Sequence, residues 1–196
     1  YSHLACKNVF ADHEVVPCRN FTDALACVNE GEADLAMIPV ENSAAGRVAD
    51  IHKLVGNSDL KIYAEHFQKV NHQLIAKPGI DIAALKSVRS HVMGLGQCTK
   101  VIETLNLQSI VMADTAGSAK YLSEYGEDHE SAIASELAAE IYNLNIVQAN
   151  IEDDKKNTTR FLVMSKNLQQ AKDANLDYLT SCIIETKSIP SALYKA

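Results

Sequence analysis

Chemistry in this chain is concentrated where apolar runs give way to polar strings. Four such junctions read Pro39-Val40-Glu41-Asn42-Ser43, Val88-Arg89-Ser90-His91, Met112-Ala113-Asp114-Thr115 and Ile133-Ala134-Ser135-Glu136. In an open parallel sheet, ligands collect at the carboxyl ends of the strands, where the following helices offer unsatisfied N–H groups and a partial positive charge. A small carboxylate is the species such a place would hold. Helix capping accounts for Ser, Thr, Asn or Asp at any one junction, at about 1 kcal/mol each. Residue types and spacing alone therefore support a cleft for a small anion and nothing finer.

Three strings carry more polarity than caps require. Glu41-Asn42-Ser43 sets a carboxylate, an amide and a hydroxyl together after a buried strand. Ser90-His91 is followed by Gln97-Cys98, with Gln97 close to two helical turns beyond His91 among small or apolar neighbours. A buried polar side chain there must find a partner. Asn157-Thr158-Thr159-Arg160-Phe161 places hydroxyls and a guanidinium where the chain is expected to cross between lobes. Arg160 also has a plainer reading, as the ion-pair partner of the nearby acidic run Glu152-Asp153-Asp154.

These strings need elements to position them. Phe21, Leu25 and Val28 keep helical spacing up to Gly31, and Leu35 to Ile38 read as a buried parallel-type strand. A second amphipathic helix carries Val48, Ile51, Leu54 and Val55, and residues 61 to 76 read as one long extended segment that leaves one sheet and enters another. Beyond Pro78-Gly79 a short helix near 83–86, a strand at 87–89 and a helix from His91 through Leu105 are expected. Strand 109–113, helix 116–125, strand 131–134, helix 136–143 and strand 145–149 follow. This order predicts parallel sheets covered on both faces. The polar run at 152–157 interrupts it, and Arg160 to Met164 restores a strand. Two crossings and two lobes follow: lobe one is about 1–72 plus the strand at 159–166, lobe two about 74–149, with a cleft between them.

Composition narrows the function classes. The chain has 196 residues, 47% hydrophobic and 22% charged, with a formal net charge of -7. These are ordinary values for a globular protein. No window approaches the roughly 18 apolar residues of a bilayer span, and Tyr1 opens on a polar stretch with no signal core. Lys and Arg are scattered rather than striped, which argues against a nucleic-acid partner. The five cysteines are odd in number without C-x-x-C spacing, so reduced thiols in a cytoplasmic protein are expected, with no metal site.

In this order and at these separations the strings resemble the catalytic domain of prephenate dehydratases. The matching residues are Tyr1-Ser2-His3, Ile38-Pro39-Val40-Glu41-Asn42-Ser43 with Gly46, Ser90-His91 with Gln97-Cys98, Thr115 with Ala119, and Asn157-Thr158-Thr159-Arg160-Phe161. The resemblance covers about residues 1–166. Val92 and Met93 depart from the family's usual Ser-His-Pro string. Residues 167–176 read as a linker. The stretch 177–196 looks like the first strand and helix of an ACT domain, too short to form a core alone, so the natural chain is expected to continue.

The resemblance implies an α/β, two-lobed, periplasmic-binding-protein-like catalytic domain with two crossings and a central cleft. A truncated, ferredoxin-like α+β ACT domain follows it. It implies a lyase that converts prephenate to phenylpyruvate with loss of water and CO2, without cofactor, in phenylalanine biosynthesis. Thr159 is then the catalytic residue that assists the leaving hydroxyl, and a donor of this kind contributes about 10²–10⁴-fold. Ser2, Glu41, Asn42, Ser43, Ser90, Gln97, Thr115, Arg160 and Phe161 are the expected substrate-binding residues, with Glu41 holding Asn42 or its loop, and Arg160 and the helix N-termini facing the substrate carboxylates. L-phenylalanine is the expected effector of the longer chain, and a homodimer or homotetramer the expected assembly. Two other readings stay open: an arogenate dehydratase, and a non-catalytic anion sensor on the same architecture.

Overall fold

Where a strand begins decides its direction here. The computed structural model describes residues 1–48 and 51–167, with Ser191 and Tyr194. Strands β1 (Leu35–Asn42) and β3 (Lys61–Lys69) belong to a four-stranded sheet of order β2-β1-β9-β3, in which β2 is Gly46–Arg47 and β9 is Thr158–Ser165. Every pairing in it is antiparallel, which corrects the parallel-type strand expected at 35–38. The reason lies in the crossings. Both β1 and β3 end where Asn42 and Lys69 meet Thr159 and Thr158, whereas β9 starts there after the second crossing and must run away from it.

The second sheet has five strands in the order β6-β5-β7-β4-β8. Its members are β4 (Gln73–Ala76), β5 (Ser87–His91), β6 (Gln108–Met112), β7 (Glu130–Ala134) and β8 (Asn145–Gln148). Parallel pairing holds only among β5, β6 and β7; β4, which also starts from a crossing, is antiparallel to β7 and β8. The expected extended segment at 61–76 is thus two strands, one in each sheet, with residues 70–72 between them.

Alternation along the strands distributes the core. In the first sheet, Ile38, Leu162 and Met164 pack with Leu25 and Val28 of α2 (Phe21–Glu30) and Ile51 of α3 (Ile51–Gly56). A helix not foreseen from the sequence, α1 (Ser2–Val9), buries Ala5 and packs against β1 and β3. The second sheet is covered on both faces, as expected. Leu74, Ala76 and Ile133 join Leu95, Cys98 and Val101 on one side, while Ile75, Ala132 and Ala134 join Ala119, Leu122, Ala138 and Ala139 on the other.

One expected helix is two. The stretch from His91 to Leu105 breaks at Gln97 and Cys98 into α4 (Val92–Gly96) and α5 (Thr99–Thr104). Two glycines weaken α4, and Asp153 captures the start of α5 by accepting from Thr99 N at 2.8 Å, Thr99 Oγ1 at 2.7 Å and Lys100 N at 3.3 Å. Helices α6 (Thr115–Tyr125) and α7 (Glu136–Ile141) start at the caps Asp114 and Ser135, as read from the junctions. Among the described residues no helix is long and apolar enough to cross a membrane. The expected linker and ACT segment lie outside the described residues apart from Asn167, Ser191 and Tyr194.

Candidate active site

Both crossings bring polar side chains to one place, and these side chains bond to one another. Asn42, at the end of β1, donates from Nδ2 to Asn157 Oδ1 at 2.7 Å and to Thr159 Oγ1 at 3.0 Å. Asn157, on the second crossing, donates from Nδ2 to Gln97 Oε1 at 2.9 Å. The same Gln97 oxygen lies 2.9 Å from His72 Nε2, on the first crossing, and His72 Nδ1 lies 2.9 Å from the Tyr1 hydroxyl. Asn42, Thr159, Gln97, Asn157 and His72 thus form one hydrogen-bonded chain between the two sheets. Asn157 is 1% exposed and His72 2%, so each polar atom must be satisfied within the protein.

The direction of each bond in this chain is fixed from one end. Asn42 Oδ1 accepts from the backbone N–H groups of Ala44 at 3.0 Å and Ala45 at 2.8 Å, which can only donate. Its Nδ2 therefore faces Asn157 and Thr159. Asn157 must then accept with Oδ1 and donate with Nδ2, and Gln97 must turn Oε1 inward. Thr159 Oγ1 receives a hydrogen bond, and among the described residues its own proton has no acceptor. The amide nitrogen of Gln97 likewise has no partner among them.

Gln97 and Asn157 line a pocket of about 290 Å³ with Ala44, Val92, Met93 and Gly96, and Asp153 and Asp154 complete its rim. Thr159 is not among the residues that line this pocket, and is joined to them through Asn42 and Asn157. The Gln97 amide nitrogen is the branch of that side chain left to face it. Asp154 Oδ1 accepts from Lys156 N at 2.8 Å.

The other expected residues fall into two groups. Ser90 is fully buried and donates to Ile133 O at 2.8 Å, and a Cβ on Gly94 would meet Ser90 Oγ at 2.7 Å and Thr115 Cγ2 at 3.5 Å. Gly94 therefore lets α4 sit directly on Ser90 and Thr115. Ser43 closes the loop after β1 by donating to Lys156 O and accepting from Thr158 N. Arg160 and Glu41 are brought together elsewhere. Strand alternation turns Arg160 to the face opposite Thr159, where it pairs with Glu41 at 3.1 Å and Glu65 at 2.9 Å. Its partners are thus not the 152–154 run, and the structure does not place it in the Thr159 chain. Phe161 is 1% exposed, a core side chain beside the site, and Ser2 opens α1 half-buried.

His72 was missed as a member of the site. Its signal was present, since it occupies a polar position inside the apolar alternation of Val70, Leu74 and Ala76. Burial holds its pKa below the ordinary histidine value, although the bond to Gln97 and the charge of Glu152 act the other way. Glu152 itself is buried and accepts from His72 N at 2.8 Å. Burial also pushes the Cys98 thiol up to about 12, so it is neutral beside Gln97. Among the described residues no group of three or more His, Cys, Asp or Glu could hold a metal ion.

Comparison with known proteins follows the same residues. A profile of the family described as prephenate dehydratase matches residues 1–169. The bifunctional N-acyl-homoserine lactone acylase/prephenate dehydratase of Komagataeibacter europaeus is 39% identical over 100% of this chain and 70% of its own length. Arogenate dehydratase/prephenate dehydratase 2 of Arabidopsis thaliana is 35% identical over 100% of this chain. The chain spans 51% of that plant protein. Among solved structures, the quorum-quenching acylase GqqA matches with a TM-score of 0.83 and 36% identity, over 100% of this chain and 71% of that one. The prephenate dehydratase of Arthrobacter aurescens, solved with L-Phe, matches with a TM-score of 0.80 and 30% identity, over 88% of this chain and 58% of its own. By its profile match over residues 1–169 and by these identities, the chain belongs to the prephenate dehydratase family.

Proposed function

We propose that the chain is the catalytic part of a prephenate dehydratase, a lyase that converts prephenate to phenylpyruvate. The observation that carries the reading is the state of Thr159, whose oxygen accepts from Asn42 while its proton stays free. In the reaction a ring carboxylate leaves as CO2, its electrons enter the ring, and the ring hydroxyl departs as water after taking up one proton. The protein must stabilise that departing oxygen. Thr159 supplies a hydrogen-bond donor to it, and acceptance from Asn42 keeps the donor turned outward. Gln97, with a free amide nitrogen at the pocket, donates to a substrate carboxylate. Ser90 and Thr115 act by seating α4, while Arg160, tied to Glu41 and Glu65, holds β9 against its neighbours. Thr159 sits on a strand of one sheet and Gln97 beside the other, which suits a two-lobed, clefted, binding-protein-like architecture that closes on its ligand.

A second substrate has its own observation. Arogenate carries an ammonium where prephenate has a keto group, and Asp154 stands on the pocket rim beside Gln97 and Asn157. The Arabidopsis relative is named for both activities. The deciding experiment is phenylpyruvate or phenylalanine release from purified protein given prephenate or arogenate in parallel. A third arm offers an N-acyl-homoserine lactone, because the Komagataeibacter relative is also named an acylase. Turnover of prephenate supports the first reading and turnover of arogenate alone the second. Saturable binding without turnover of any of the three leaves a sensor. L-phenylalanine control and homo-oligomer assembly belong, in this reading, to the longer protein.

A further inference from the structure

The family reading uses Thr159, Asn42 and Gln97, yet the hydrogen-bonded chain does not stop at Gln97. It continues to His72 and Tyr1, and His72 has no part in the chemistry described so far. The bond directions derived above reach it. Because Ala44 N–H and Ala45 N–H orient Asn42, and Asn42 orients Asn157, Gln97 must present Oε1 to His72. An oxygen that is already an acceptor needs a donor, so His72 Nε2 must carry the proton. Burial keeps the ring from gaining a second proton at neutral pH. His72 Nδ1 is then left as an acceptor 2.9 Å from the Tyr1 hydroxyl, whose single proton is also directed at Asn71 O at 2.8 Å, so the tautomer is set from the Gln97 side. Tyr1 and His72 also meet edge-on, with ring centroids 5.5 Å apart and planes at 84°, which fixes the ring plane.

We infer that His72, held as the Nε2–H tautomer between Tyr1 and Gln97, is a positioning residue that keeps the Gln97 amide nitrogen directed at the substrate pocket. It acts through Gln97 and does not touch substrate. Two donors, His72 Nε2 and Asn157 Nδ2, converge on the one Gln97 oxygen. A flipped amide would set its NH2 against both of them. His72 lies on the first crossing and Asn157 on the second, so the orientation of Gln97 depends on both crossings being in place. This inference rests on the proposed dehydratase reading for its effect on turnover, but not for the tautomer itself.

The test therefore has two readouts. Nitrogen-15 NMR of imidazole-labelled protein at neutral pH should show His72 protonated at Nε2 and bare at Nδ1. A bare Nε2 overturns the inference, whichever substrate the protein uses. For turnover, His72→Leu should lower kcat/KM by roughly 10- to 100-fold. His72→Gln, whose amide can again offer an N–H near the Nε2 position, should restore most of it. Much of the loss should appear in KM, because Gln97 binds a carboxylate in ground and transition states alike. Equal losses in the two variants at unchanged melting temperature would make His72 a packing residue only. If the wild-type protein turns over no dehydratase substrate, the reading of the reaction fails, while the NMR result still decides the tautomer.

Discussion

Asn157→Asp changes one atom and reverses one bond. Asn157 Nδ2 donates to Gln97 Oε1 at 2.9 Å, and in the variant an oxygen faces an oxygen across that distance. The other branch still accepts from Asn42, so the variant keeps the shape of the site and loses only its polarity. Relief comes from turning the Gln97 amide, which sends Oε1 to the pocket in place of the NH2. A hydrogen bond to a substrate carboxylate is then lost, worth about 1.5–3 kcal/mol. At 1.4 kcal/mol per decade this predicts a fall in kcat/KM of roughly 10- to 150-fold at pH 7.5. Burial raises the pKa of the new carboxyl group. As pH is lowered the carboxyl protonates, its O–H supplies the missing donor, and part of the lost activity should return. The assay is kcat/KM for the preferred substrate between pH 5.5 and 8, with melting temperature followed beside it. Wild-type kcat/KM at pH 7.5, or a loss that is constant across the pH range, would refute the bond directions assigned here.

Thr159→Ala should lower kcat by at least about two orders of magnitude with little change in melting temperature, while Thr159→Ser should keep most of it. A near wild-type kcat in the alanine variant removes Thr159 from the mechanism. Gly94→Ala should impair kcat/KM by driving a Cβ into Ser90 Oγ at 2.7 Å, and adding Ser90→Ala should relieve part of the defect. An additive double variant would show that the two do not meet. Folding stability should fall as pH drops below about 6.5, the ordinary histidine value. Burial depresses the folded pKa of His72, so across the window down to that depressed value the unfolded chain binds more protons. Urea midpoints at pH 7.5 and 5.5 should differ less in His72→Gln than in wild type, since the carboxylates held low, Asp153 and Glu130, titrate in more acid solution.

What was legible in the sequence is what short-range pattern controls. The extended pattern over 61–76 marked where the chain passes from one sheet to the other, though as two strands with residues 70–72 between them, and Asp114 and Ser135 marked the starts of helices that form there. Strand direction was not legible, because it depends on which end of a strand meets the crossing, a long-range fact. That is why β9 is inserted antiparallel between β1 and β3 where a parallel order was expected. The break at Gln97 was hidden for the same reason, since the group that starts α5 is Asp153, 54 residues away. The strings that hold Asn42, Gln97 and Thr159 stood out as more polar than caps require, the resemblance singled out Thr159 within its string, and the hydrogen-bonded chain joins all three.

Arg160 shows the limit of that logic. On residue type it was the natural partner for a substrate carboxylate, yet it lies one residue from Thr159 on a strand, and successive strand side chains point to opposite faces. Once Thr159 faces the Asn42 chain, Arg160 cannot, and two carboxylates from β1 and β3 hold it on the far side. In the proposed dehydratase reading, recognition of the substrate carboxylate then falls to a neutral donor, the Gln97 amide. For neutral donors direction matters as much as position, because an amide offers a donor and an acceptor that differ only by a half-turn. A guanidinium has no wrong way round, whereas a glutamine does. A site built on amides therefore needs something that cannot turn, and here the two backbone N–H groups of Ala44 and Ala45 supply it.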